Sequence, residues 1–288
     1  MKEISINRLS TSTALLIAVF IGGCGHLTQS EASQNKTRYL GQFPPGMTPE
    51  RFAPGLVSTD NLEIGGVFTP NMEEFYFIRQ VPDEEVESKV IQYVSGVWQD
   101  AAPAVDVGFI SPNGERMYVG NEYRERTATG WSEKKSLGAP FDAIPIMRLT
   151  SSAAGTYVFD EREEIGTLRY SRIVDGVREA PKAFNADINA GRWTAHPYIA
   201  ADESYLIWDS ERSGGYGSTD LYISFRQEDG SWGPAINMGE DINSPYEDGG
   251  GRLSPDGKYF FFDRINLDEL VADIYWVDAQ IIETLRPD

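Results

Sequence analysis

The sequence predicts an all-β chain: a single β-propeller of four-stranded antiparallel blades, five in number, closed by a strand from its N-terminal side. Three observations carry this reading. The first is the stretch Leu253–Arg264, where Ser254-Pro255-Asp256-Gly257 supplies turn chemistry and Tyr259-Phe260-Phe261-Phe262 follows as an unbroken apolar strand. The second is that this stretch recurs. Ile199–Asp209 lies 54 residues upstream and aligns without a gap, pairing Asp202 with Asp256, Tyr205 with Tyr259 and Asp209 with Asp263. The same offset pairs Gly176 with Gly230, Asp187 with Asp241 and Asn189 with Asn243. Weaker copies at Phe68–Phe77, Phe109–Val119 and Leu149–Phe159 place Asn71, Asn113 and Ala153 at the Asp position, with successive spacings of 42, 40, 49 and 54. A period of about 40–50 residues built from short strands is a propeller signature. The third is a glycine turn, usually followed by Trp, at Gly96-Val97-Trp98, Gly130-Trp131, Gly176-Val177 and Gly230-Ser231-Trp232. Each joins the third and fourth strands of a unit as a hairpin.

The segments in order support this division. Residues 1–23 hold Lys2, Arg8 and the apolar run Thr13–Gly23, too short for a spanning helix and consistent with an export signal. The run ends Ile21-Gly22-Gly23-Cys24, which resembles a bacterial lipoprotein signal with Cys24 as the lipidated residue. Cys24 is the single cysteine, so disulfides and cysteine-based metal sites are excluded. Residues 24–46 are polar and aperiodic and read as a tether; 47–288 read as the propeller domain. Gly25 after the cysteine resembles the sorting signal for the outer membrane. The expected location is therefore the cell envelope, with the membrane reached through lipid only.

Loss of residues 1–23 removes two basic residues and one acidic one, turning the formal charge of −19 into −20. Such a field disfavours nucleic acid and anionic membrane surfaces as partners. The last unit, ending in Asp273–Val277, lacks an outer strand, and Phe52–Ser58 is the spare segment expected to pair beside 273–278. The count becomes six only if residues 121–145, where a third strand is faint, hide another unit.

The Ser-Pro-Asp-Gly-Lys-Tyr element at 254–259 resembles the repeat of TolB-type propellers. So do Ser210–Tyr222, with its Ser-x-Arg-x-Gly-Gly-x-Gly-x-x-Asp-x-Tyr pattern, and the ending Asp273–Asp278. The resemblance covers residues 52–278, implies the fold, and says little of function.

If the fold holds, one loop face gathers Asp187, Asn189, Trp193, His196, Asp241, Asn243, Glu247 and Asp248. Arg79, Arg162, Arg212 and Arg264 close the second strand of four units. Two roles compete for these arginines: pairing with neighbouring carboxylates or carbonyls, or forming a ring of guanidiniums that binds an acidic sugar. His196 is the single histidine of the domain, and beside Pro197 it reads first as structural. The recurring aspartates read as turn or blade-packing residues, since one active site needs no copies. Trp193 and Tyr216 are the aromatic residues placed to stack on a sugar ring. Asp187-Ile188-Asn189 and Asp241-Ile242-Asn243 offer oxygens to calcium but lack the spacing of a calcium loop, so neither metal nor cofactor is expected. The ligand set is Arg79, Arg162, Trp193, His196, Arg212, Tyr216, Glu247 and Arg264. The expected function is non-enzymatic binding of an envelope protein or glycan. A carbohydrate-active lyase or hydrolase on the loop face is the alternative, and a scaffold within a larger complex is the third reading.

Overall fold

The computed structural model describes residues 38–287 apart from Glu164. The expected signal segment, Cys24 and the first part of the tether lie outside these residues. Regular structure among them is almost entirely antiparallel β, with one short α-helix, Gln280–Thr284. No helix is long and apolar enough to cross a membrane.

The three middle repeats each form their own main sheet, while the first and last share one nine-stranded sheet, joined where Leu62 pairs in parallel with Ala272. The second unit from the C-terminus is the clearest: Arg192–Ile199, Tyr205–Glu211, Asp220–Phe225 and Ile236–Asn237 pair in sequence order. Its two middle strands are almost wholly buried, as their continuous apolar runs require. The unit before it repeats the pattern from Ile146–Ser151 to Lys182–Ala183. The N-terminal unit runs from Leu62–Phe68 to Ala102–Pro103. Residues 121–145 carry strands Glu122–Thr127, Gly130–Trp131 and Lys135–Ser136 of the second unit and a single 3-10 turn, Phe141–Ala143, with no further sheet. The third strand was faint because it reads Glu-Tyr-Arg-Glu-Arg-Thr: its charges are held in pairs, Arg124 with Asp106 and Arg126 with Glu74.

The last unit, Glu247–Leu253, Tyr259–Asn266 and Val271–Asp278, takes its outer pairing from the chain start. The segment that pairs is Glu50–Arg51, not 52–58 as expected: Glu50 faces Trp276, Arg51 faces Tyr275, and the Phe52 amide donates to the Ile274 carbonyl at 2.8 Å. Residues 53–58 instead form a turn, because Pro54-Gly55 breaks extension and Ala53 sits at φ 45°. The packed region also starts earlier than residue 47. Tyr39 is fully buried, and its hydroxyl donates to Asp256 at 2.7 Å.

Side chains between successive sheets form five apolar clusters among the described residues. Four join units adjacent in sequence. The fifth joins the last unit to the first: Phe52 packs against Phe68 and Phe75 on one side and Phe261 and Trp276 on the other, with ring centroids 5.0–5.9 Å apart. Asn71, Asn113, Asp202 and Asp256 hold the repeated turns, for example Ser254 Oγ to Asp256 at 2.8 Å and Ser111 Oγ to Asn113 at 2.7 Å. That is the turn role read from their recurrence.

Candidate functional site

The first strand of every unit lines one cavity of about 1440 Å³. Each first strand except the short one of the second unit carries an irregularity in its register, at Ile64/Val67, Ile146/Leu149, Ala195/Tyr198 and Gly249/Arg252. Such a bulge re-aims the backbone and its side chains. In three units the residue at the bulge has left-handed φ: Gly65 at 74°, His196 at 47° and Gly250 at 63°.

An aspartate from the preceding unit accepts the amide of each bulge residue. Asp160 takes His196 N at 2.8 Å, Asp209 takes Gly250 N at 3.0 Å, and Asp263 takes Gly65 N at 3.0 Å. These aspartates sit at the same place in their repeats, seven residues after Ala153, Asp202 and Asp256. The recurrence therefore has a structural cause: each carboxylate ties one sheet to the next.

A cluster of charge surrounds these ties. Asp160 also accepts the amides of Met147 and Arg148. Arg252 donates to Asp263 at 2.9 Å and to the carbonyls of Gly66 and Gly250. His196 Nδ1 lies 3.0 Å from Asp209, while 38% of the imidazole side chain remains open to the cavity. Burial pushes the His196 pKa down. The charge and hydrogen bond of Asp209, with Asp160 behind, outweigh it against the opposing charge of Arg148, and the net shift is upward.

Arg148 is the exception in the cluster. Its guanidinium lines the cavity and donates to none of the described residues, and none of its nitrogens is sealed from solvent. Burial and the neighbouring Arg252 press its pKa down, while Asp263, Asp209 and Asp160 pull the other way. Every nearby carboxylate is engaged by other donors, so Arg148 is left with unfilled hydrogen-bonding capacity.

The residues expected from sequence divide into two groups. Arg162, Trp193, His196 and Glu247 line the cavity. Arg162 and Trp193 are exposed at one end of it, Trp193 by 46%. Glu247 accepts from Ser218 Oγ at 3.2 Å. Arg79, Arg212, Arg264 and Tyr216 do not line it.

A ring of cavity-facing guanidiniums is therefore not formed. Arg79 pairs with buried Glu63 at 2.8 Å and donates to the Val57 carbonyl. Arg264 pairs with buried Asp248 at 2.7 Å and donates to the Ile242 carbonyl at 2.7 Å. Arg212 donates to the Ile188 carbonyl at 2.9 Å and covers the Tyr222 ring at 4.3 Å. All three clamp the loop that precedes their own unit, and burial lowers the pKa of Arg212. Asn189 and Asn243 are likewise consumed, each bridging the amide and carbonyl of one strand residue, Leu168 and Leu221. No group of acidic, His or Cys side chains suited to a metal ion occurs among the described residues.

Sequence reasoning missed Arg148, Arg252 and Asp160. Asp160 was available from the repeat, seven residues after Ala153. Arg148 was available as the one charged residue of its first strand, Ile146–Ser151, with no counterpart in the other units.

No family model and no curated protein matches this sequence. Solved structures with a similar course of chain include TolB from Acinetobacter baumannii, at 11% identity over 77% of this chain and 55% of that one, TM-score 0.45. This chain thus spans about half the length of that protein. A putative TolB from Agrobacterium tumefaciens matches at 18% identity over 73% and 72%, TM-score 0.44. A gluconolactonase from Xanthomonas campestris matches at 9% identity over 77% and 87%, TM-score 0.43. At these identities no residue of those proteins is carried onto this chain.

Proposed function

We propose that this chain is a five-bladed propeller of the bacterial envelope, held by lipid on Cys24, that binds a small acidic ligand in its cavity. The pairing of Glu50–Arg51 with the last unit and the cluster around Phe52 support closure into a ring. The Ile21-Gly22-Gly23-Cys24 sequence supports the anchor. The glycan reading narrows to a sugar acid or a carboxyl derivative of one.

The observation that carries the binding reading is the unengaged Arg148 guanidinium, enclosed beside Arg252 in a cavity whose carboxylates are already bonded. A planar guanidinium matches a carboxylate in bidentate fashion. Aromatic faces at Trp193, Tyr198 and Phe109 supply apolar surface along the same cavity. The volume is ample for a monosaccharide or a short oligosaccharide. Calorimetric titration with D-glucuronate, D-galacturonate and their short oligomers tests this. Binding is expected for the native chain and a loss of about tenfold or more for Arg148→Lys, which keeps the charge but not the fork.

A further inference from the structure

The position of His196 in the repeat is the starting point. Its counterparts in two other units, Gly65 and Gly250, carry no side chain, and all three share left-handed φ. A side chain on Gly250 would run into Asp263 Oδ2 at 2.6 Å and approach the guanidiniums of Arg148 and Arg252 at 3.3 Å. In the adjacent unit an imidazole occupies the corresponding place. A β-carbon at such φ stores strain, and strain of this kind gathers where a side chain is held for use.

The imidazole is held in a defined way. Nδ1 is bonded to the buried carboxylate of Asp209, which fixes the neutral ring with its proton on Nδ1 and a lone pair on Nε2. Nε2 bonds none of the described residues and is not sealed from the cavity. Arg148 is its neighbour: the two oxygens of Asp160 accept the backbone amides of Arg148 and His196, each at 2.8 Å. A base, the carboxylate that orients it, and an unengaged guanidinium thus share one enclosed space.

We infer that this cavity hydrolyses a carboxylic ester or lactone of a sugar acid, with His196 as general base, Asp209 as its positioning residue and Arg148 at the developing oxyanion. The inference rests on the reading of the cavity as a ligand site, and makes the acidic ligand the product of the reaction. His196 Nε2 takes a proton from water as the water oxygen bonds to the carbonyl carbon. The carbonyl oxygen gains the electron pair of its π bond and faces Arg148. The intermediate then collapses, the bond from carbon to the alkoxy oxygen breaks, and the proton on Nε2 passes to that oxygen. Acid and alcohol leave; no oxidant or other co-reactant is needed. Around the imidazole and Arg148 an ester fits better than a glycoside, because glycoside hydrolysis asks for two available carboxyl groups and Asp160, Asp209 and Asp263 are committed to backbone amides.

The titrating and charged groups facing His196 are Asp209, Asp160 and Arg148. Because the base must be neutral, the rate should rise with pH, with its midpoint shifted upward from the ordinary imidazole value.

The test uses the full mature chain in detergent with three probes: p-nitrophenyl acetate, the methyl ester of D-glucuronic acid and D-glucurono-6,3-lactone. The decisive variant is His196→Gly. Glycine adopts the required φ without strain, so this variant is expected to keep the fold, checked by its melting curve. The native chain should hydrolyse at least one probe well above the buffer rate. His196→Gly should lose that activity by a hundredfold or more, and added imidazole should restore part of it. Asp209→Asn keeps an oxygen for Gly250 N but removes the charge beside Nδ1, and should shift the midpoint of the pH–rate profile downward. D-glucuronate binding without hydrolysis of any probe, or a His196→Gly variant as active as the native chain, overturns the inference and leaves the binding reading standing. Absence of both binding and hydrolysis overturns both.

Discussion

His196 shows how a single residue sets local energetics. Its left-handed backbone costs on the order of 1 kcal/mol or more relative to glycine, and its bond to Asp209 offsets that cost to a degree that depends on pH. The folded pKa is raised, so the histidine contributes most below its unfolded value near 6.5, and that contribution fades as pH rises through the folded value. The difference in melting temperature between the native chain and His196→Gly should therefore favour the native chain most at about pH 5.5 and shrink by pH 8.5. A difference independent of pH would show that the imidazole and Asp209 are not coupled. The sequence revealed that His196 was alone in the domain, but not that it stood where two repeats have glycine. A bulge shifts register by one residue, and no spacing rule marks it in a single sequence.

At the scale of an element, the end of a second strand is clamped to the loop that precedes its unit. Arg79, Arg212 and Arg264 do this by reaching the carbonyls of Val57, Ile188 and Ile242, each of which belongs to a fully buried residue. In the last unit the clamp includes Asp248, whose own pKa is raised by burial despite the Arg264 pair. Removing the arginine leaves the buried carboxyl without its counter-charge, held only by Ser244, and the Ile242 carbonyl without its donor. Arg264→Leu is expected to cost about 3 kcal/mol, seen as a fall in melting temperature on the order of 10 °C, with ligand affinity unchanged at temperatures where the variant is folded. A stable variant with weakened binding would restore the cavity-facing role that the geometry denies. The arginines were legible as a recurring feature. Their direction was not, because a long flexible side chain at a strand end reaches either face, and neighbours distant in sequence decide between them.

For the whole molecule, the repeat was the most readable feature, since turns and apolar strands are local and recur. The closing contact was only half readable. Phe52 belonged to the right segment, yet the two residues before it do the pairing and Phe52 itself fills the seam. Phe52→Ala is expected to cost about 3–5 kcal/mol, a large effect for a residue near the packed start, because it loosens the contact of the last unit with the first. A negligible loss on denaturant unfolding would contradict closure at this seam. The anchor acts on the same scale. Cys24→Ala should move the protein from the membrane fraction to the soluble one, and retention in the membrane would contradict attachment by lipid alone. The cavity was the least readable, since it is assembled from one short stretch of each repeat, and its decisive cation, Arg148, has no copy elsewhere to draw attention.

That cation also gives the most direct test of the account. Titration of the native chain and Arg148→Lys with D-glucuronate or its oligomers should show saturable binding that weakens by about tenfold or more in the variant, corresponding to about 1.4 kcal/mol or more, while both chains melt at nearly the same temperature. Equal affinity in the two chains, or no binding of any acidic sugar by the native one, would contradict the claim that this cavity is built around an anion.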